Sequence, residues 1–128
     1  MPSRRFVLIA AACLAAPLAA HAAGVMRFAS VNFAAALEKG GPVLVHIDAT
    51  WCPTCRAQKP ILDRLLAQPK YAAVTAFSVD YDSEKPVMRE LSAPERSTIL
   101  VFAKGKEVAR STGDTSESAI AALIDKSL

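Results

Sequence analysis

The chain has 128 residues, a formal net charge of +3 and 52% hydrophobic residues, which suits one domain with a modest core. Two of its 15 Lys and Arg residues lie in an N-terminal segment; without them, 13 basic residues face 12 acidic ones. The remaining net charge of +1, with no basic cluster containing interleaved aromatic residues, gives no argument for a nucleic-acid partner.

The first residues have the organisation of a secretory signal peptide. A basic segment precedes an apolar run over residues 6–20, and Ala20 and Ala22 offer small side chains at the cleavage positions. The run has about 15 residues, whereas about 20 are needed to span a bilayer, so an uncleaved membrane anchor is the less favoured alternative. We predict a cleaved signal peptide over residues 1–22, one domain over residues 23–128, and a periplasmic location.

Two variants of this export route remain open. Arg4 and Arg5 also fit a twin-arginine signal, although two arginines are equally the basic end of an ordinary signal peptide. Cys13 would be the lipidated first residue of a lipoprotein. The alanines before Cys13 are a poor match to the segment that precedes such a cysteine, and the apolar run continues past it. We therefore favour the ordinary signal peptide.

The remaining chain alternates helices and strands. Hydrophobic periodicity predicts helices over residues 31–39, 53–66, 84–91 and 115–126, and strands over residues 43–49, 74–79, 98–102 and 107–110. We also allow an initial strand over residues 25–28. Gly40-Gly41-Pro42 ends the first helix, and Lys104-Gly105-Lys106 predicts a hairpin. This order predicts an α/β fold with a mixed central β-sheet flanked by helices on both faces.

Two helices carry further features. Pro53 is compatible with the first turn of its helix, whereas Pro60 lies inside and should kink it, since proline removes an internal hydrogen bond. The last helix is amphipathic. Its predicted core-facing residues are Ala119, Ile120, Leu123 and Ile124.

Cys52 and Cys55 are the cysteines that remain after signal cleavage, and they lie where a strand ends and a helix begins. A pair so close in sequence closes too short a loop to stabilise an exported domain much, so redox cycling or metal binding explains it better. At a helix N-terminus, free N–H groups and the helix dipole favour a Cys52 thiolate, the nucleophile of disulfide exchange. Cys55, one turn further, would resolve the mixed disulfide.

The chain resembles the thioredoxin family over residues 28–128. The features that carry the resemblance are Val43-Leu44-Val45 leading into Trp51-Cys52-Pro53-Thr54-Cys55, Pro60 five residues after Cys55, the following Ile61-Leu62-Asp63, and the spacing of residues 98–102, Gly105 and Gly113. The resemblance implies a thioredoxin-like fold and a thiol–disulfide oxidoreductase without a cofactor. The Pro-Thr dipeptide is similar to that of the reductive thioredoxins of cytochrome c maturation, which implies an exported reductant supplied with electrons by a membrane thiol donor.

The largest departure from the family is Ser97, which falls where the family has a cis-proline. A cis bond before a non-proline residue costs about 2.5–4 kcal/mol. The Arg96–Ser97 peptide is therefore either strained and cis, or trans in a differently shaped loop. The resemblance implies that Arg96, Ser97, Thr98 and Gly113 line the substrate groove. Losing the proline leaves open whether the loop pairs with substrate backbone and keeps metals from the cysteines, and Gly113 is equally an ordinary turn residue.

Five residues near the pair are predicted to support it. The family has a buried aspartate at the position of His46, beneath the second cysteine, where it helps to move a proton. An imidazole, with an unperturbed pKa near 6.5, can do the same. Asp48 lies on the same strand face as His46, so it either partners His46 or approaches the cysteine pair on its own. The alternative for His46 is a buried histidine satisfied by hydrogen bonds, with no catalytic part. Trp51 is predicted at the groove rim, Pro53 in the turn, and Thr54 with its hydroxyl towards a sulfur.

We therefore expect a monomeric enzyme that reduces disulfides in exported proteins. The direction depends on the reduction potential, which spans about −270 mV in thioredoxin to about −120 mV in a strong oxidant. We favour a reductant, because the domain lacks the helical insertion of the exported oxidase family. The alternative is a metal-binding or metal-delivery module in which Cys52, Cys55 and His46 bind Cu(I) or Zn. A non-catalytic scaffold is the third reading.

Overall fold

The computed structural model describes residues 24–128, which form one five-stranded sheet and its covering helices. The strands are β1 (Val25–Arg27), β2 (Val43–Asp48), β3 (Thr75–Asp80), β4 (Thr98–Ala103) and β5 (Lys106–Thr112). The α-helices are α1 (Ser30–Lys39), α2 (Pro53–Leu66), α3 (Lys85–Glu90) and α4 (Glu117–Asp125). The predicted signal peptide, with its cleavage near Ala22, and Cys13 lie outside the described residues.

The sheet is mixed, as predicted. Its strand order is β1-β3-β2-β4-β5. The first three strands are parallel to one another, whereas β4 runs antiparallel to β2 and β5 antiparallel to β4. Helices α2 and α4 pack on one face of the sheet, and α1 and α3 on the other. The α/β architecture with helices on both faces is thereby confirmed.

Strand β2 lies in the middle of the sheet and supplies both cores. Its alternate side chains point to opposite faces, so Leu44 packs beneath α2 and α4 while Val45 and Ile47 pack beneath α1 and α3. A strand covered on both faces reads as a continuous apolar run, which is how the sequence predicted it. His46 and Asp48 share the face of Leu44, and this places them beneath the first turn of α2.

The predicted elements match the structure to within two residues at each boundary. Helix α4 begins at Glu117 because the Ser116 hydroxyl accepts a hydrogen bond from the backbone N–H of Ala119 and caps it. Helix α2 continues through Pro60 to Leu66, and a short 3₁₀-helix that the sequence did not predict follows at Pro69–Tyr71.

The predicted apolar face of α4 is largely confirmed. Ile120, Leu123 and Ile124 are buried, and Ala119 is half-buried. Between residues 24 and 128, no helix is long and apolar enough to cross a bilayer.

Candidate active site

The connection from β2 to α2 places the cysteine pair. The backbone N–H of Cys52 donates to the carbonyl of Ala49 at 3.1 Å, which closes a turn after the strand. Cys52 is the N-cap of α2, and Pro53 begins the helix. The Cys52 sulfur accepts a hydrogen bond from the backbone N–H of Cys55 at 3.3 Å. The sulfur thus occupies the position of a capping oxygen, where free N–H groups favour negative charge.

Both cysteines are free thiols, and both are buried: 2% of Cys52 and none of Cys55 is exposed. The hydroxyl of Ser97 lies 3.2 Å from the Cys52 sulfur and 3.1 Å from the Cys55 sulfur. One hydroxyl therefore contacts both reacting atoms. The sequence predicted a sulfur contact for Thr54 instead, and within the described part of the chain the Thr54 hydroxyl forms no hydrogen bond to either sulfur.

The loop before β4 takes the trans alternative. Residues 24–128 contain no cis peptide bond, and Ser97 has a positive φ of 60°. That conformation costs an L-residue roughly 1–2 kcal/mol, and hydrogen bonds offset it. The Ser97 N–H donates to the carbonyl of Ile47 at 2.8 Å, and the Ser97 carbonyl accepts from the N–H of Gly113 at 3.0 Å. Both backbone groups of Ser97 are thus bonded within the protein, and Gly113 is a turn residue with φ of 84°.

A buried glutamine that the sequence analysis missed ties the site together. Gln58 is fully buried, and its side-chain NH₂ donates to the carbonyls of Ser97 and Asp114 at 3.0 and 2.9 Å. Because carbonyls only accept, the amide orientation is fixed and Oε1 faces His46 Nε2 at 2.8 Å. His46 therefore carries its proton on Nε2. The pattern that would have revealed Gln58 is its position three residues after Cys55, on the buried face of α2.

The two thiols differ in acidity. Burial disfavours the Cys52 thiolate, but hydrogen bonds from Cys55, Ser97 and the Arg96 side chain outweigh it and lower the pKa of Cys52 to about 6. Burial and the neighbouring Cys52 sulfur raise the pKa of Cys55. Burial also lowers the pKa of His46, against the opposing effects of Gln58 and a nearby carboxylate. At neutral pH, the site therefore holds one thiolate, one protonated thiol and a neutral imidazole.

The structure places His46 and Asp48 beside Cys55. One potential ligand atom from each of His46, Asp48 and Cys55 lies within 4.8 Å of the other two. Asp48 Oδ2 is 3.2 Å from Lys59 Nζ, while Asp48 Oδ1 is buried and has no hydrogen-bond partner among the described residues. This set of possible metal ligands differs from the one predicted from the sequence, because Asp48 takes the place of Cys52.

Trp51 lies at the mouth of the site, where 50% of it is exposed. Its indole N–H donates to Asp82 Oδ2 at 2.8 Å, and the Arg96 guanidinium lies 4.8 Å from its ring centroid. Thr98 is buried, and its hydroxyl donates to the carbonyl of Glu95 at 2.8 Å, which braces the loop that carries Ser97. The exposed Arg96 and Trp51 side chains therefore contact each other beside the cysteine pair.

Comparison with known proteins agrees with this geometry. The thioredoxin family model matches residues 24–126. A thioredoxin of Chlamydia trachomatis is 35% identical over 95 residues, which cover 74% of this chain and 90% of the relative. The crystal structure of Trxlp from Edwardsiella tarda is 35% identical, covers 79% of this chain and 98% of its own, and superposes with a TM-score of 0.77.

A mutant thioredoxin of Halobacterium salinarum, 20% identical with a TM-score of 0.72, shares the fold. It covers 83% of this chain and 92% of its own length. The chain belongs to the thioredoxin family and is a thiol–disulfide oxidoreductase with Cys52 and Cys55 as its cysteine pair.

Proposed function

For this thioredoxin-family oxidoreductase, we propose that the protein is exported and reduces disulfides in periplasmic proteins. The observation that carries the disulfide-reducing role is the division between the two thiols: the pKa of Cys52 is lowered to about 6, and that of Cys55 is raised. A thiolate available at neutral pH is the attacking nucleophile, and a buried protonated thiol beside it is suited to wait as the resolving group.

In the first step, the Cys52 sulfur attacks one sulfur of the substrate disulfide. The substrate S–S bond breaks, a mixed disulfide forms, and the departing sulfur leaves as a thiolate that takes a proton from water. Before the attack, the Ser97 hydroxyl donates to the Cys52 thiolate across 3.2 Å. Because the same hydroxyl lies 3.1 Å from the Cys55 sulfur, it can turn to that atom as negative charge appears there.

In the second step, Cys55 loses its proton and attacks the Cys52 sulfur, which releases the reduced substrate. The groups placed to accept the proton are His46 and Asp48, which lie with Cys55 within 4.8 Å. The neutral state of His46 suits it to this role. The protein is left with a Cys52–Cys55 disulfide, and a membrane thiol donor restores the two thiols with two electrons and two protons.

Two features support reduction over oxidation. The lowered Cys52 pKa of about 6 is closer to the value of about 7 in thioredoxin than to the value of about 3.5 in a strong oxidant. The described residues also contain no helical insertion beyond helices α1–α4, whereas the exported oxidase family has one. The reduction potential tests the direction. Equilibration in graded glutathione buffers should give a value near thioredoxin's, about −270 mV, whereas a value near −120 mV would make the protein an oxidant.

Export rests on the N-terminal sequence and needs its own test. The full chain, produced in a Gram-negative host, should appear in the periplasmic fraction with residue 23 as its first residue. A matched chain without residues 2–22 should stay in the cytoplasm. A full-length chain retained in the membrane, or lipid attached to Cys13, would contradict this proposal and show that the protein is anchored to the membrane.

A further inference from the structure

A buried carboxylate oxygen without a partner lies next to the active site. The Asp48 side chain is 13% exposed, and its Oδ2 pairs with Lys59 Nζ at 3.2 Å. Lys59 is itself 54% exposed, so this pair is solvent-screened and contributes little. Asp48 Oδ1 has no hydrogen-bond partner among residues 24–128. Buried polar atoms are nearly always paired, so this oxygen indicates a donor or a cation that binds there.

Two potential metal ligands lie beside that carboxylate. A ring nitrogen of His46, the Cys55 sulfur and an Asp48 oxygen lie within 4.8 Å of one another. In a tetrahedral zinc site, metal–ligand bonds of about 2.0–2.3 Å set ligand–ligand distances of about 3.3–3.8 Å. Side-chain torsions that draw the three atoms about 1 Å closer would therefore meet the geometry.

The hydrogen bond of His46 Nε2 to Gln58 leaves the other ring nitrogen available as a metal ligand. The Gln58 amide is fixed by the carbonyls of Ser97 and Asp114, so the Nε2–H of His46 donates to Gln58 Oε1. The lone pair of the neutral ring is then on Nδ1. Histidines that bind metals commonly donate their second ring N–H to a carbonyl or carboxylate, which fixes the tautomer and the ring plane. Gln58 provides that support here.

We propose that the reduced protein binds one Zn²⁺ ion through Cys55, His46 and Asp48, with water in the fourth position. One sulfur, one nitrogen and one oxygen form the mixed set that Zn²⁺ accepts, whereas Cu(I) favours sites with more sulfur. On binding, Zn²⁺ replaces the proton of the Cys55 thiol, and one proton passes to solvent.

The site is linked to the redox state. A Cys52–Cys55 disulfide has no thiolate to offer, so oxidation of the pair would release the ion. A metal-bound Cys55 cannot resolve a mixed disulfide, so Zn²⁺ would stop turnover. This last consequence rests on the proposed function, whereas binding of the ion does not.

A Zn²⁺ titration in competition with a chromogenic chelator tests the affinity. The reduced protein should bind one equivalent, and the disulfide form none. Asp48→Asn should weaken binding at least about tenfold, on the scale seen when a metal site loses a supporting group. Asp63→Asn removes the same charge from an exposed position on α2 and should bind as the unchanged protein does. If the reduced, unchanged protein binds no Zn²⁺, the proposal is wrong. This outcome does not depend on whether any variant folds.

Co²⁺ serves as a spectroscopic probe of which sulfur binds. The sulfur-to-cobalt charge-transfer band should persist in Cys52→Ser and disappear in Cys55→Ser. Loss of the band in Cys52→Ser, together with unchanged affinity in Asp48→Asn, would reveal a two-cysteine site and overturn the proposed ligands. Disulfide reduction measured in the presence of chelator separates the two proposals: a protein that binds no metal but reduces disulfides leaves the proposed function intact.

Discussion

Replacing Ser97 with alanine should raise the pKa of Cys52. The substitution removes the hydroxyl that lies 3.2 Å from the Cys52 sulfur and leaves the backbone hydrogen bonds of residue 97 in place. A hydrogen bond to a charged group contributes about 1.5–3 kcal/mol, and one pKa unit corresponds to about 1.36 kcal/mol. The Cys52 pKa should therefore rise by about one to two units from its value of about 6.

The assay is the rate of alkylation of the reduced protein as a function of pH. A pKa of about 6 leaves about nine-tenths of Cys52 as thiolate at pH 7, and a rise of one to two units leaves about a half to a tenth. The alkylation profile of Ser97→Ala should shift to higher pH by the same one to two units. Since the reduced form loses thiolate stabilisation, the reduction potential should also become about 20–30 mV more negative at pH 7.

A matched control comes from Ser111, whose hydroxyl is buried without a hydrogen-bond partner among the described residues. Ser111→Ala removes the same atom and should leave the Cys52 profile unchanged. If Ser97→Ala alkylates with the same pH profile as the unchanged protein, the Ser97 hydroxyl does not stabilise the thiolate. The low pKa of Cys52 would then have to come from the hydrogen bonds of Cys55 and of the Arg96 side chain.

Four further predictions concern acidity and stability. In the unchanged protein, alkylation of Cys52 should be half-maximal near pH 6 while Cys55 stays unreactive to well above neutral pH; equal reactivity of the two would contradict the assignment. Because the folded-state pKa of Cys52 lies below its ordinary value of 9.0, its contribution to the stability of the reduced protein is complete above pH 9 and lost as the pH falls through about 6. Denaturant titrations of Cys52→Ser should lack that pH dependence. Gln58→Leu leaves its hydrogen-bond partners, His46 and the carbonyls of Ser97 and Asp114, without a bond. The substitution should lower the free energy of unfolding by about 2 kcal/mol or more. Tyr71→Phe, which removes a 2.8 Å hydrogen bond to Asp125, should cost about 0.5–1.5 kcal/mol by the same measurement.

Elements with strong local determinants could be predicted from the sequence. Helix α2 was placed at residues 53–66 because Pro53 suits the first helical position and its apolar residues recur at helical spacing. Strand β5 was predicted too short, at residues 107–110 instead of Lys106–Thr112. Its outer residues are polar, so their strand conformation comes from pairing with β4 and leaves no hydrophobic pattern.

Some features of the active site could likewise be predicted from local sequence patterns, and others could not. The placement of His46 and Asp48 on one face followed from the two-residue period of a strand, and the position of Cys52 at a helix N-terminus followed from the strand–helix boundary. The contacts of Ser97 and Gln58 join segments about 40 residues apart in the chain. No local pattern encodes such a pairing, because it depends on how a loop packs against a helix.

Serine at position 97 brings two hydrogen-bonding groups that proline lacks. Its N–H bonds to the Ile47 carbonyl at 2.8 Å, at the end of β2, and proline has no N–H with which to do so. Its hydroxyl lies between the two sulfurs. The Ser97 N–H anchors the loop to β2, and the Ser97 carbonyl accepts a hydrogen bond from Gln58. Both backbone groups of Ser97 are bonded, and this fixes the position of its hydroxyl. The loop therefore does more than accommodate a missing proline: it positions a hydrogen-bond donor for the chemistry of Cys52 and Cys55.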